Sequence, residues 1–148
     1  MYASDVSAEA LKIASANAAN NGVAERVEFL LGPDFRPFVD AAVPKADIIV
    51  SNPPYVRTAD VNSLQPEVRD FEPRKALDGG SDGLDAIKRL ITGFRESANS
   101  NGILMIEIGF GQSEAVSEFI KADGGLVLLR IVQDLQGIDR MVVIQTMK

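Results

Sequence analysis

Polar and apolar positions along the chain follow two different periods. Short apolar runs that suit strands are separated by stretches in which apolar residues return every three or four positions, as on one face of a helix. Tyr2 to Ser4 reads as a short strand ending at Asp5. Ser7 is then placed to cap a helix that carries Glu9 in its first turn and Leu11, Ala14 and Ala18 on one face, with Asn21-Gly22 as its stop. Val27 to Leu31 predicts the next strand, and Ala46 to Ser51 a buried central one. Leu84, Ile87, Ile91 and Phe94 recur at helical spacing after Ser81-Asp82-Gly83, and Ile103 to Ile108 predicts a strongly apolar internal strand. Val116, Phe119 and Ile120 give the face of a following helix. Leu126 to Val132 and Met141 to Ile144 close the pattern as two β-branched strands joined by a turn from Asp134 to Arg140. Strands alternating with helices predict an α/β protein whose sheet is covered by helices. No repeat or linker interrupts the pattern, so a single domain over residues 1–148 is expected.

The pattern breaks between Tyr55 and Ala76, a polar, Pro-containing segment too long for a simple connection, which marks a functional loop. It opens on Asn52-Pro53-Pro54-Tyr55, directly after the apolar run that ends at Ser51. Open α/β sheets place their ligands at such strand ends. An amide nitrogen or a base's exocyclic amine is a poor nucleophile because its lone pair is delocalised. An enzyme that alkylates it must hold its N–H bonds with fixed acceptors. The Asn52 side-chain oxygen and the Pro53 carbonyl supply two acceptors, the prolines restrict the backbone, and the Tyr55 ring offers a flat face for a planar amide or base. The plainer alternative is a Pro-Pro loop that closes a buried strand.

Composition narrows the chemistry. With 148 residues, 46% of them hydrophobic and 24% charged, the chain can bury a core. A net charge of −6 argues against binding long stretches of nucleic acid, and the nearest thing to a basic cluster, Arg69, Arg74 and Lys75, is offset by Glu67, Asp70 and Glu72. The absence of Cys and His removes the usual zinc sites, thiol nucleophiles and Ser-His-Asp triads, so no metal site is expected. No apolar run approaches the roughly 20 residues needed to span a bilayer, and a cytoplasmic location is the default. Gly79, Gly80 and Gly83 are not followed by the Lys-Ser/Thr of a phosphate loop, so turn chemistry and a helix start account for them.

Taken together, the order strand, Asp5, helix, strand, Asp34, strand, Asn52-Pro53-Pro54-Tyr55 resembles the Rossmann-like class I methyltransferases that use S-adenosylmethionine. Glu67-Val68-Arg69, Glu72-Pro73, Ala76-Leu77, Gly79 to Leu84, Glu107-Ile108-Gly109 with Gln112, and Asp134-Leu135 with Gly137 to Arg140 are similar to one family within that class. That family is the peptide chain release factor glutamine methyltransferases, the HemK/PrmC-like proteins. The resemblance implies a mostly parallel sheet with an antiparallel last strand, and N5-methylation of the glutamine in the Gly-Gly-Gln loop of class I release factors. The Asn-Pro-Pro-Tyr motif is shared with adenine-N6 methyltransferases of nucleic acid, which stand as the alternative, together with an inactive fragment or interaction module.

By resemblance, Asp5 would bind the ribose hydroxyls of S-adenosylmethionine, unless it only caps the Ser7 helix. Asp34 would receive the adenine amine with Phe35 covering the ring, although Pro33 ahead of it departs from the commoner pattern. Asn52 would accept one N–H of the substrate amide and also border the cofactor, Pro53 would accept the other N–H, and Pro54 and Tyr55 would complete the catalytic loop. Glu72 and Pro73 resemble the substrate-side wall, or else form an acidic turn. Glu107, polar within an apolar strand, is expected to accept N–H bonds from the Gly-rich turn after it.

Family members begin with a small helical domain, a first strand and a Gly-rich loop that wraps the cofactor's methionine part. The residues here match from the second strand onward. In the class order 3-2-1-4-5-7-6 the unmatched strand is the central one, and its removal would leave a gap of roughly 10 Å between its neighbours. The expectation is therefore weak or absent cofactor binding by the chain alone, and self-association through exposed strand edges.

Overall fold

The computed structural model describes residues Met1–Met147 and divides the chain into two compact units, with the boundary between Pro44 and Lys45. The first unit runs β1 (Tyr2–Asp5), α1 (Ala8–Asn20), β2 (Glu28–Leu31) and α2 (Arg36–Asp40). β1 and β2 pair in parallel, Tyr2 with Glu28 through Asp5 with Leu31. α1 starts where the sequence places it, because the Ser7 hydroxyl accepts the Ala10 N–H at 3.2 Å and satisfies one of the open donors of the first turn. It ends at Asn21 with Gly22 in the left-handed region, φ +67°. Among the described residues of this unit only Ala18 and Pro37 are buried.

The second unit begins with β3 (Ala46–Ser51) and crosses a long loop with two short helices, α3 (Pro66–Arg69) and α4 (Arg74–Leu77). It continues through α5 (Asp85–Ser97), β4 (Ala98–Glu107), α6 (Ser113–Asp123), β5 (Leu126–Gln133) and β6 (Asp139–Thr146). Its strands lie in the order β3-β4-β6-β5. β3 and β4 are parallel, and β6 runs antiparallel to both β4 and β5. That is the 4-5-7-6 portion of the class order, with the last strand in sequence inserted antiparallel and Ile103 to Ile108 internal.

The core forms on one face of this sheet. Ile87, Ile91 and Phe94 of α5 and Val116 and Ile120 of α6 are buried against Leu104 and Ile106 of β4 and Val142 and Ile144 of β6. Each helix repeats its apolar residues every three to four positions and each strand every second one, so each presents a single stripe to the layer between them.

One expectation fails here. Ala46 to Ser51 is not a buried central strand: β3 is the edge of the four-stranded sheet, with Ile48 62% and Val50 71% exposed. These two residues, two apart, point to the face opposite α5 and α6, and among the described residues no helix of their own unit covers that face. An uninterrupted apolar run reads as buried on both sides, whereas the run belongs here to an edge with one covered face.

Candidate active site

Asn52-Pro53-Pro54-Tyr55 leaves the C-terminal end of β3. The parallel register pairs Ser51 with Ile106, so Asn52 comes level with Glu107 at the end of β4. Asn52 is exposed and its side chain makes no hydrogen bond among the described residues, while Pro53 is buried beneath it. Tyr55 is half-buried and fixed at both ends. Its hydroxyl donates to Glu107 Oε1 at 3.0 Å, and its carbonyl accepts from Gln112 Nε2 at 3.0 Å.

This corrects the role expected of Glu107. It takes the Tyr55 hydroxyl, and the N–H of the turn after β4 goes elsewhere: Gly109 donates to Gln112 Oε1 at 2.8 Å. Burial is the largest influence on the Tyr55 phenol and raises its pKa above the ordinary 10.0. The bond to Glu107 and the charges of Glu107 and Glu72 raise it further, against a lowering by Arg140. Tyr55 is therefore a neutral hydrogen-bond donor throughout the physiological range. Glu72 stands close enough for its charge to reach that hydroxyl, although Glu72 and Pro73 themselves lie exposed in the loop before α4.

The residues after Tyr55 are stitched to the Gly-rich turn. Val56 donates to the Leu77 carbonyl at 2.9 Å, Gly79 to the Val56 carbonyl at 2.8 Å and Thr58 to the Gly80 carbonyl at 2.9 Å. Asp78 closes this ladder from the side. Its carboxylate accepts the Thr58 hydroxyl at 2.6 Å and the Gly80 N–H at 3.1 Å, and those bonds with the Arg74 guanidinium hold it below the usual carboxylate range. The glycines serve close approach as well as turning. A Cβ on Gly79 would meet the Pro54 carbonyl oxygen at 2.7 Å, and one on Gly83, at φ +77°, would meet the Tyr55 oxygen at 2.5 Å.

Of the residues expected to touch the cofactor, Asp5, Asp34 and Phe35 sit in the first unit and Asn52 in the second. Asp5 is exposed at the end of β1, and its Oδ1 accepts the Ser7 N–H at 2.7 Å, so the helix-capping role is real. The Asp5 carbonyl accepts from Gly32 at 2.9 Å, which brings the strand end and the corner after β2 together. In that corner Asp34 is left-handed, φ +47°, a conformation that Asp tolerates better than most residues. Phe35 is half-buried, its ring 6.5 Å from that of Phe38 at 52°. An exposed carboxylate with a corner that joins an acid to an aromatic face fits a ribose diol and an adenine ring.

Gln112 is the residue whose role the sequence reading missed, since it entered only as part of a motif. A long polar side chain three residues after a buried Gly, at the mouth of a helix, was the available signal.

No protein-family model matches the chain. Among solved structures it is similar over 99% of its length to TrmN from Thermus thermophilus, with a TM-score of 0.65 at 16% identity, covering 36% of that chain. A ribosomal protein L11 methylase from Lactobacillus delbrueckii subsp. bulgaricus gives 0.64 at 17%, with 99% and 57% covered. SMU.1697c from Streptococcus mutans, in complex with SAH, gives 0.59 at 18%, with 99% and 75% covered. The fold is that of the Rossmann-like class I methyltransferases.

In sequence the chain is 45% identical over 133 residues to the release factor glutamine methyltransferase of Geobacter sulfurreducens, covering 90% of this chain and 45% of that protein. It is 36% identical over 148 residues to that of Thermodesulfovibrio yellowstonii, covering 100% and 51%, and 40% identical over 143 residues to that of Gloeobacter violaceus, covering 97% and 49%. In sequence the chain is thus similar, over nearly all of its own length, to release factor glutamine methyltransferases. It spans about half the length of the curated relatives it matches.

Proposed function

We propose that this chain carries the substrate-gripping part of a glutamine N5-methyltransferase that acts on the Gly-Gly-Gln loop of class I release factors in the cytoplasm. The observation that supports this most is Tyr55, pinned by its hydroxyl to Glu107 and by its carbonyl to Gln112, with Asn52 exposed three residues before it. Such a loop is rigid before substrate arrives, which is what positioning requires. S-adenosylmethionine, when bound, supplies the electrophilic methyl group, and Asp5, Asp34 and Phe35 are the residues of the first unit that would hold it.

The chain's own residues then do the following. The Asn52 oxygen and the Pro53 carbonyl accept the two N–H bonds of the substrate amide and set its plane. Pro54 fixes the direction of the backbone between them and Tyr55. The Tyr55 ring stacks on the amide and stabilises the positive charge that grows on nitrogen as it is alkylated. Donation from the Tyr55 hydroxyl to the Glu107 carboxylate enriches the ring in electrons and strengthens that effect. No base is needed before attack, and the surplus proton leaves to water afterwards. Glu72 and Pro73 form the outer wall on the loop side.

Two further readings accompany this one. Among the described residues no helix is long and apolar enough to cross a membrane. The open edge of β3, with Ile48 and Val50 exposed, supports self-association of the chain on its own, which would show as concentration-dependent sedimentation.

The test joins this chain in frame behind the front half of the Geobacter sulfurreducens enzyme and supplies tritiated S-adenosylmethionine with either a release factor or DNA. Label on the Gly-Gly-Gln glutamine alone is the expected result. Label on DNA, or on neither substrate, would overturn the assignment.

A further inference from the structure

Three segments far apart in sequence meet around one side chain. Gln112, at the mouth of α6, uses its carboxamide in three directions. Oε1 accepts from Gly109 N–H at 2.8 Å, and Nε2 donates to the Tyr55 carbonyl at 3.0 Å and to the Gly83 carbonyl at 3.2 Å. An amide of this kind has two donor hydrogens and an acceptor oxygen, so both hydrogens and the oxygen are engaged. No carboxylate could make the same set, because it donates nothing.

The surroundings are shaped to admit this side chain. A Cβ on Gly83 would stand 2.7 Å from Gln112 Nε2, and one on Gly109 would stand 3.0 Å from Gln112 Oε1 and 3.1 Å from Tyr55 Cδ2. Both glycines are buried. Hydrogen at these two positions is what lets the carboxamide lie between the turn after β4, the Gly-rich turn and the Tyr55 backbone.

We infer that Gln112 is a positioning residue for methyl transfer: its carboxamide sets where the Tyr55 ring and the adjoining acceptors stand relative to the end of β4. This rests on the functional reading above. Glu107 holds the far end of the same ring, so the two polar residues on either side of the turn after β4 fix Tyr55 from its hydroxyl and from its main chain. Removing Glu107 frees the ring's tip, whereas removing Gln112 frees its base and lets the whole loop move off the glycines.

The chain contains two tyrosines and no tryptophan, which makes Tyr55 directly visible, with Tyr2 as an internal reference. The experiment labels the full chain with carbon-13 tyrosine and compares wild type with Gln112→Ala and Gln112→Glu by NMR. The joined enzyme described above is assayed in parallel. Expected in both variants are shifted and broadened Tyr55 ring signals and unchanged Tyr2 signals, while a nitrogen-15-labelled sample should show faster hydrogen exchange at the Gly109 amide in Gln112→Ala alone, since only that variant removes its acceptor. In the joined enzyme kcat should fall by about 10–100-fold while the KM values for cofactor and release factor stay within about twofold, the pattern of lost positioning. Gln112→Glu should not rescue, because it restores the acceptor for Gly109 and still cannot donate.

The outcomes separate the two claims. If the wild-type joined enzyme methylates no glutamine while Tyr55 still responds in the variants, the functional reading fails and the anchoring of Tyr55 stands. Unchanged Tyr55 signals, wild-type kcat in Gln112→Ala, or unfolding of every variant would overturn the positioning role, the last because Gln112 would then serve stability alone.

Discussion

The Asn52–Tyr55 loop and the Gly32–Phe35 corner both leave a strand at its C-terminal end and both carry residues expected to meet a ligand, yet they are held differently. Side chains hold the first: Glu107 and Gln112 reach Tyr55 across 52 and 57 residues of sequence, and the loop sits against buried Gly79, Gly83 and Gly109. Main-chain turns hold the second, through Gly32 N–H to the Asp5 carbonyl and Arg36 N–H to the Pro33 carbonyl, over a unit with two buried residues. On the proposed reading the difference suits the tasks: Tyr55, which would act on a transition state and lose its value if it moved, is anchored at both ends beside buried Pro53, while Asn52 stays exposed on that anchored loop. Residues that would embrace a cofactor from solvent need only be near it.

The largest expected effect breaks the first region's chemistry while leaving its frame intact. Asn52 is exposed, so Asn52→Ala should leave stability unchanged. It should lower the methyl-transfer rate of the joined enzyme about 100-fold, which is about 2.7 kcal/mol, with little change in cofactor affinity. Equal losses in rate and affinity, read from steady-state kinetics and calorimetry, would mark Asn52 as a cofactor residue instead.

Glycine substitutions sharpen the same comparison at the level of packing. Gly83 and Gly22 share the left-handed region, φ +77° and +67°, but a Cβ on Gly83 meets the Tyr55 oxygen at 2.5 Å and one on Gly22 meets nothing within 4 Å. Gly22→Ala should therefore cost about 1 kcal/mol, the conformational penalty alone. Gly83→Ala should cost about 2–4 kcal/mol and displace the Tyr55 loop. Denaturant melts of the two variants measure both, and equal costs would mean that the Gly-rich turn yields easily.

Tyr55→Phe keeps the ring and removes the bond to Glu107, at about 1 kcal/mol. The pH dependence carries the sign. The folded-state pKa of Tyr55 lies above its unfolded value, so its stabilisation is fully present at neutral pH and is lost as pH rises through the folded pKa, above the ordinary 10.0. Stability of wild type should fall more steeply in that alkaline range than that of Tyr55→Phe. Parallel curves would mean that the phenol is not held as described.

How much of this was legible in the sequence follows from the range of the interactions. Period and capping are local, so α1, α5 and the strands fall where the pattern puts them, and the Ser7 cap and Asn21-Gly22 stop are as expected. Asn52 to Tyr55 stood out because unusual residue types sit at a strand end. What the pattern could not carry was which segments meet. The partner of Glu107, the three bonds of Gln112 and the reason for Gly79 and Gly83 all depend on contacts between residues 52–58, 77–83 and 107–112. The exposure of Ile48 and Val50 was hidden for the same reason, since an apolar run does not say which of its faces its neighbours will cover.

A last expected effect concerns Asp5, where the corner's two roles overlap. Its Oδ1 accepts the Ser7 N–H at 2.7 Å in an exposed position, so part of its use is to organise the start of α1. Asp5→Asn keeps an oxygen for that bond and removes the charge, whereas Asp5→Ala removes both. If Asp5 also holds the ribose hydroxyls, both variants should lose about tenfold in affinity for S-adenosylmethionine in the joined enzyme, because a carboxylate accepts two O–H bonds more strongly than an amide does. Only Asp5→Ala should lower the melting temperature, and by little, since the lost bond is one neighbour-to-neighbour contact at the surface. Isothermal calorimetry with a thermal melt reads the two effects separately. An Asp5→Asn variant with unchanged affinity would reduce Asp5 to the helix start, and the corner's claim on the cofactor would then rest on Asp34 and Phe35.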